Sequence, residues 1–207
     1  MSAKQEILAR IAKAGAIAAP PIPREYFRAG EGRDIVTDME EALIDYTATV
    51  THAREEDIPA ALAAALSDVV SVVVPPGLPD AWQRAVADGR QMRVDEPHLT
   101  KEELDRTDAV VTAARVAVSL SGTIMLDGEP DQGRRAITLV PDTHVIVLRA
   151  SQIVATVPEA VAILGKHPTR ATTWIAGPSA TSDIELIRVD GVHGPRTLRV
   201  IIVDDAS

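Results

Sequence analysis

Cysteine is absent from all 207 residues, and that one gap removes several kinds of chemistry. The chain cannot form a disulfide, present a thiol nucleophile, or ligate zinc or an iron–sulfur cluster through thiolates. Aromatic residues are nearly as scarce, with two Trp, two Tyr and one Phe. The core must therefore be aliphatic, and the stacking platforms that hold single-stranded nucleic acid are lacking. Positive charge is in deficit too: 21 Lys and Arg face 30 Asp and Glu, for a formal charge of −9. Such a surface repels phosphate backbones and anionic membranes at long range, which argues against a nucleic-acid partner.

No long hydrophobic run is present either. The uncharged stretch over residues 14–23 is interrupted by prolines and falls well short of the roughly 20 residues that cross a bilayer. Lys4, Glu6, Arg10 and Lys13 lie at helical intervals before it, unlike a signal peptide. The expectation is a chain without a membrane span, located in the cytoplasm. HExxH, GxxxxGK, GxSxG and a glycine-rich dinucleotide fingerprint are all missing, so the strong catalytic and nucleotide signatures do not apply.

What remains, 46% apolar and 25% charged residues, suits one ordinary α/β domain or one domain with an N-terminal appendage. Ile7, Leu8 and Ile11 predict an amphipathic helix over residues 3–14, and Pro20-Pro21-Ile22-Pro23 predicts a stiff linker after it. Thr37 to Glu40 has the capping-box pattern, followed by a helix face of Met39, Leu43, Tyr46 and Val50. Residues 55–66 read as a helix with Pro59 early. The cluster Glu55-Glu56-Asp57 fits the positive end of that helix's dipole, and no metal site is expected there. Residues 69–74 form a β-branched strand run that ends at Pro75-Pro76-Gly77. Asp80 caps a helix holding Trp82 and Val86, residues 91–94 are a short strand, and Thr100 to Glu103 repeats the capping box.

Beyond Asp108 the texture changes to short strand runs at 109–112, 116–118, 123–126, 136–140 and 144–148. A helix follows over 157–164 behind Pro158, then a strand over 172–176 and a closing strand over 198–203. Interleaved strands and helices predict an α/β sheet, largely parallel, with an antiparallel or mixed section after residue 116.

The loop Gly177-Pro178-Ser179-Ala180-Thr181-Ser182-Asp183 leaves an apolar run. Read as strand–loop–helix at the carboxyl edge of the sheet, it offers hydroxyls and free amides to a small anion. Read structurally, Ser182 to Glu185 is a capping box that needs no ligand. Asp183 and Glu185 would compete with a bound anion, so an arginine must join such a site, and Arg188 and Arg196 are the nearest in sequence. His193 sits between Gly191 and Gly194, where an imidazole can titrate near neutral pH. A structural role suits it equally. His144 opens a strand run and reads as structural, while His52, His98 and His167 read as surface residues.

The stretches AGPSATSDIELIRVDGVHGPRTLRVIIVDD, DAVVTAARVAVSLSGTIML and LVPDTHVIVL resemble the LutC/YkgG family of lactate-utilisation proteins, built on the LUD domain. A looser match covers the alanine-rich first half. The resemblance implies a three-layer α/β/α domain over residues 24–207 with a mainly parallel sheet, similar to the NagB/RpiA/CoA transferase-like fold, behind an N-terminal helix and linker over residues 1–23. It also implies a component of L-lactate utilisation, the oxidation of lactate to pyruvate, acting with LutA- and LutB-like proteins. Those partners would carry the iron–sulfur clusters, and this chain would bind no cofactor, only a small carboxylate or phosphate. The alternative is an autonomous isomerase or CoA-transferase-like enzyme acting on a phosphorylated or acyl substrate, and a third reading is a structural adaptor. The motif positions that carry over are Gly177, Pro178, Ser179, Thr181, Asp183, Glu185, Gly191, His193 and Gly194, with Ser121, Gly122 and Thr123 from the middle motif, and all of them except Gly191 are expected to bind the ligand. None carries over as catalytic. One departure stands out: the acid of the family's E-T-G-T pattern is Leu120 here, which can neither move a proton nor attack a carbonyl.

Overall fold

A computed structural model describes residues 2–14, 21–25, 30, 34–181, 189–191 and 193–204. Helix α1 (Ala3–Lys13) starts in a reciprocal box between Ser2 and Gln5, and none of its residues is buried. Helix α2 (Ile35–Asp45) buries Met39 and Leu43. Its cap is Asp34, whose carboxylate accepts from the Thr37 amide at 3.2 Å and from the Thr37 hydroxyl at 2.9 Å. The expected Thr37–Glu40 box therefore gives way to a start three residues earlier, capped by Asp34 rather than Thr37. The helix also stops short of Val50. Thr47 takes a φ of 66°, and Thr49, Val50 and Thr51, two of them threonines and all β-branched, extend into β1 (Thr49–Arg54) instead. Such residues lose side-chain freedom in a helix and keep it in a strand.

A 3-10 turn over Glu55–Asp57 leads into α3 (Ile58–Ala65), with Pro59 in its first turn. Strand β2 (Ser71–Val74), helix α4 (Asp80–Ala87) and strand β3 (Gln91–Val94) follow. Asp80 lies inside α4 rather than capping it, and the N-cap position is Pro79. Thr100 and Glu103 form the expected box at α5 (Lys101–Asp105), with bonds of 2.8 and 3.2 Å. Then come β4 (Ala109–Ala113), β5 (Val116–Val118), β6 (Thr123–Leu126), β7 (Thr143–Arg149), β8 (Ile153–Val154), α6 (Val157–Leu164) and β9 (Thr173–Ile175). A two-residue ladder, β10 (Ala180–Thr181) with β11 (Val189–Asp190), precedes the last strand, β12 (Thr197–Asp204). The run at 136–140 is not a strand. Its core is a 3-10 turn, Arg135–Thr138, which presses Ile137 against Val73 and Val110 instead of joining the sheet.

Six strands form one sheet in the order β1-β12-β7-β4-β2-β3, every neighbouring pair parallel. Alternation along each strand divides the side chains between two faces. Val145 and Val147 join Ile58, Leu62, Trp82 and Val86 on the face covered by α3 and α4. Ile146 and Leu148 face the other way and pack with Met39, Leu43, Ile124 and Leu126. That second face is covered by α2 and by a smaller sheet in the order β8-β5-β6-β9. The smaller sheet is mixed, as expected after residue 116: β5 and β9 run antiparallel to β6, and β8 runs parallel to β5. Helix α6 closes its outer side with Ala160 and Leu164 against Val116, Val118 and Met125. A parallel sheet buried on both faces explains why the strands read as continuous aliphatic runs.

Candidate functional site

Strands β7 and β12 start level with each other, Thr143 opposite Thr197 and His144 opposite Leu198. Two loops meet beside that shared start. Ser179, past the end of β9, donates its amide to the Pro195 carbonyl at 2.8 Å and accepts at its own carbonyl from the Gly191 amide at 2.8 Å. Its hydroxyl accepts from the His193 amide at 3.0 Å. One serine thus ties the Gly-Pro-Ser turn to the Gly-x-His-Gly-Pro turn. Together they border a cavity of about 470 Å³, completed by Arg135, Thr138, Leu139, His144, Trp174 and Leu198.

The cavity lies at the amino ends of β7 and β12, not at the carboxyl edge expected from a strand–loop–helix reading. The reason is topological: β9 belongs to the smaller sheet and runs antiparallel to β6, so its exit does not share the direction of the large sheet. The chain then pairs Ala180 with Asp190 and Thr181 with Val189, which replaces the expected loop with a returning hairpin. Asp183, Glu185, Arg188 and the capping box from Ser182 lie outside the described residues.

Of the positions expected to bind a ligand, Gly177, Pro178, Ser179, His193 and Gly194 line the cavity. Gly191 supports it through the bond to Ser179. The middle motif does not line it. Ser121 and Thr123 share a hydroxyl bond of 2.9 Å, and Gly122 sits against Ala42 of α2. Pairing of β6 with β9 brings that motif near Gly177, but on the side facing α2. Leu120 is exposed and outside the cavity.

The cation is not the one sequence proximity suggests. Arg196 pairs with Asp142 at 3.3 Å and is no part of the lining. Arg135 is, and none of the described residues bonds its guanidinium. Its neighbour Arg134 grips Asp95 at 2.6 and 3.0 Å and the Leu99 carbonyl at 2.7 Å. Burial works to raise the Asp95 pKa, but the Arg134 bonds and charge and the Leu99 amide outweigh it and hold it low. The twin arginines after Gly133 thus divide into one tied to Asp95 and one with no bonded partner among the described residues. The sequence reading named neither of them; two consecutive arginines after a glycine are the signal that could have found Arg135.

His144 is 1% exposed, and its Nε2 lies 2.8 Å from the Thr112 hydroxyl oxygen. Burial pushes its pKa down to about 3, so the ring is neutral. His193, by contrast, is exposed at the rim. A second cavity, about 600 Å³, lies beyond the carboxyl ends of β2 and β3, and it shares Arg135, Thr138 and Thr173 with the first. It is charge-balanced, with Asp127 held by Arg170 at 3.2 Å and Glu129 also bonded to Arg170. Among the described residues no group of three or more His, Asp or Glu is placed to hold a metal ion. No described helix is long and apolar enough to cross a membrane.

Two stacked sheets, one parallel and one mixed, with a cavity closed by paired glycine turns at the amino ends of two central strands, define the class of domain. The model of the LUD domain matches residues 6–203, and the chain belongs to the LUD domain family. Lactate utilization protein C of Deinococcus radiodurans is 45% identical over 209 residues, covering 97% of this chain and 95% of that protein. Proteins of the same name from Anoxybacillus flavithermus and Bacillus subtilis are 35% and 31% identical over 50% and 53% of this chain and 47% of each of theirs. A crystal structure of a DUF162 family protein from Deinococcus radiodurans superposes with a TM-score of 0.71 at 43% identity, covering 82% of this chain and 96% of that one.

Proposed function

We propose that this chain is a component of an L-lactate utilisation system that oxidises lactate to pyruvate in the cytoplasm. It works with LutA- and LutB-like partners that carry the iron–sulfur clusters, and its share is to hold a small carboxylate in the cavity beside Ser179. The name carried by its relatives supports the system. The observation that carries the ligand is Arg135, a guanidinium in the cavity wall that no described residue neutralises. A guanidinium with nearby hydroxyls suits a carboxylate, because charge-assisted bonds are the stronger ones. Ser179, Thr138 and Thr172 supply those hydroxyls, and the aliphatic side chains of Leu139 and Leu198 suit a small carbon skeleton. At about 470 Å³ the cavity holds such an acid together with bridging water. With no cysteine in the chain, cluster-borne electron transfer falls to the partners.

Calorimetric titration with L-lactate, pyruvate and phosphate tests this. Both carboxylates are expected to bind wild type, and Arg135→Ala to weaken them at least about tenfold through loss of a charged bond. Equal binding by Arg135→Ala, or no binding by wild type, would overturn the reading. Preference for phosphate over both acids would favour an autonomous enzyme acting on a phosphorylated substrate.

A further inference from the structure

His144, like Thr138, is a polar group of the cavity wall with almost no solvent contact, and it is the one that carries a titratable ring. Strand alternation turns it to the same face as Ile146 and Leu148, between Leu198 of β12 and Val110 of β4 in register. Thr112, two residues further along β4, shares that face, and its hydroxyl oxygen reaches Nε2 at 2.8 Å. No described residue bonds the other ring nitrogen, Nδ1, and the ring lines the cavity. Which partner donates in the Thr112 bond depends on the tautomer. A neutral imidazole has one N–H and one lone pair, whereas a threonine hydroxyl can donate or accept.

We propose that His144 and Thr112 form a tautomer relay that reads the oxygen at the 2-position of a carboxylic acid held in this cavity, so that the site takes a 2-hydroxy acid and its 2-oxo product in turn. The inference rests on the carboxylate site proposed above and names what that site recognises. With a 2-hydroxy acid bound, Nδ1 accepts from the ligand hydroxyl and Nε2–H donates to the Thr112 oxygen. With a 2-oxo acid bound, Nδ1–H donates to the keto oxygen and the Thr112 hydroxyl donates to Nε2. Both states hold the same atoms and the same charge. The ring proton changes nitrogen by exchange with water between ligands, and nothing is oxidised or reduced by the pair itself. An acid with no oxygen at that carbon leaves Nδ1 facing a methylene, and a buried polar group without a partner opposes binding.

The test is nitrogen NMR of uniformly labelled wild-type protein with L-lactate, pyruvate or propionate. Among five histidines, the His144 signals are identified as those missing from the spectrum of His144→Asn. Its shifts should report the proton on Nε2 with lactate and on Nδ1 with pyruvate. Propionate should bind at least about tenfold more weakly than either. Thr112→Val, close in shape but without the hydroxyl, should abolish the lactate–pyruvate difference in tautomer, and Thr112→Ser should restore it. The same tautomer with both ligands, or a difference that survives Thr112→Val, overturns the relay and leaves the carboxylate site standing. If neither acid binds wild type, the carboxylate site fails and the relay with it.

Discussion

The buried imidazole of His144 ties the stability of the fold to pH. In the unfolded chain a histidine takes up its proton near pH 6.5, whereas burial in the fold lowers the pKa to about 3. Between those values the unfolded chain binds one more proton than the folded chain. Stability therefore falls as pH drops from about 6.5 towards 3, by at most about 1.4 kcal/mol for each pH unit, and the contribution is complete above that window. His144→Asn, which carries no proton to lose, is expected to be less stable than wild type at pH 7 because the Thr112 contact is altered. It should also decline less steeply between pH 6 and 4. Urea unfolding at stepped pH values measures both. Parallel slopes for the two proteins would show that His144 is charged in the fold. His144 was legible in the sequence as a structural histidine at a strand start, but its place in the cavity wall was not. That place depends on β4 and β12, contributed by residues far away along the chain.

At the scale of elements, the glycines of the two motifs seat a helix. Gly122 and Gly177 have φ of 57° and 82°, in the left-handed region that side chains avoid. A Cβ on Gly122 would lie 2.9 Å from the Ala42 Cβ, and one on Gly177 would lie 2.6 Å from the Tyr46 Cβ. Ala42 and Tyr46 are one turn apart along α2 and its cap, so both glycines meet the same helix edge. Gly89 has a similar φ of 71° with nothing within 4 Å, which makes it a control for backbone strain alone. Gly89→Ala is expected to cost about 1 kcal/mol. Gly177→Ala should cost about 2–4 kcal/mol, since overpacking adds to the strain. Denaturant midpoints compare them, and equal losses would show that α2 yields freely. The sequence reading placed both glycines among the ligand-binding positions, whereas in the structure a helix edge lies against each. Local patterns translated well elsewhere: the Thr100–Glu103 box needs only neighbours in sequence, and the strands at 109–113, 143–149 and 197–204, buried on both faces, stand out as continuous apolar, β-branched runs. Strand β1 did not, because it becomes a strand by pairing with β12 at the far end of the chain. The cavity was half legible for the same reason. Its two glycine turns lie in one stretch of sequence, whereas Arg135 and His144 arrive from separate elements.

Over the whole molecule, ion pairs join segments distant in sequence: Arg199 with Asp68, Arg149 with Glu55, Arg134 with Asp95 and Arg170 with Asp127. Among the described residues, helix α1 takes no part in this. Its described ion pair is internal, Glu6 with Arg10 at 2.7 Å. Ile7, Leu8 and Ile11 are each more than half exposed. An isolated helix of 11 residues is marginal in water, since nucleation costs more than so few bonds return. The stability of the domain should therefore not depend on it. Removing residues 2–13 is expected to leave the denaturant midpoint of the remainder unchanged within about 0.5 kcal/mol, the range of surface changes away from structural contacts. The slope of the transition should also hold, because no buried surface is lost with the helix. A fall well beyond that range, with a shallower slope, would mean that α1 packs on the body in solution. An unchanged midpoint at low protein concentration, with a loss appearing only at high concentration, would mean that its apolar side is covered by association between chains.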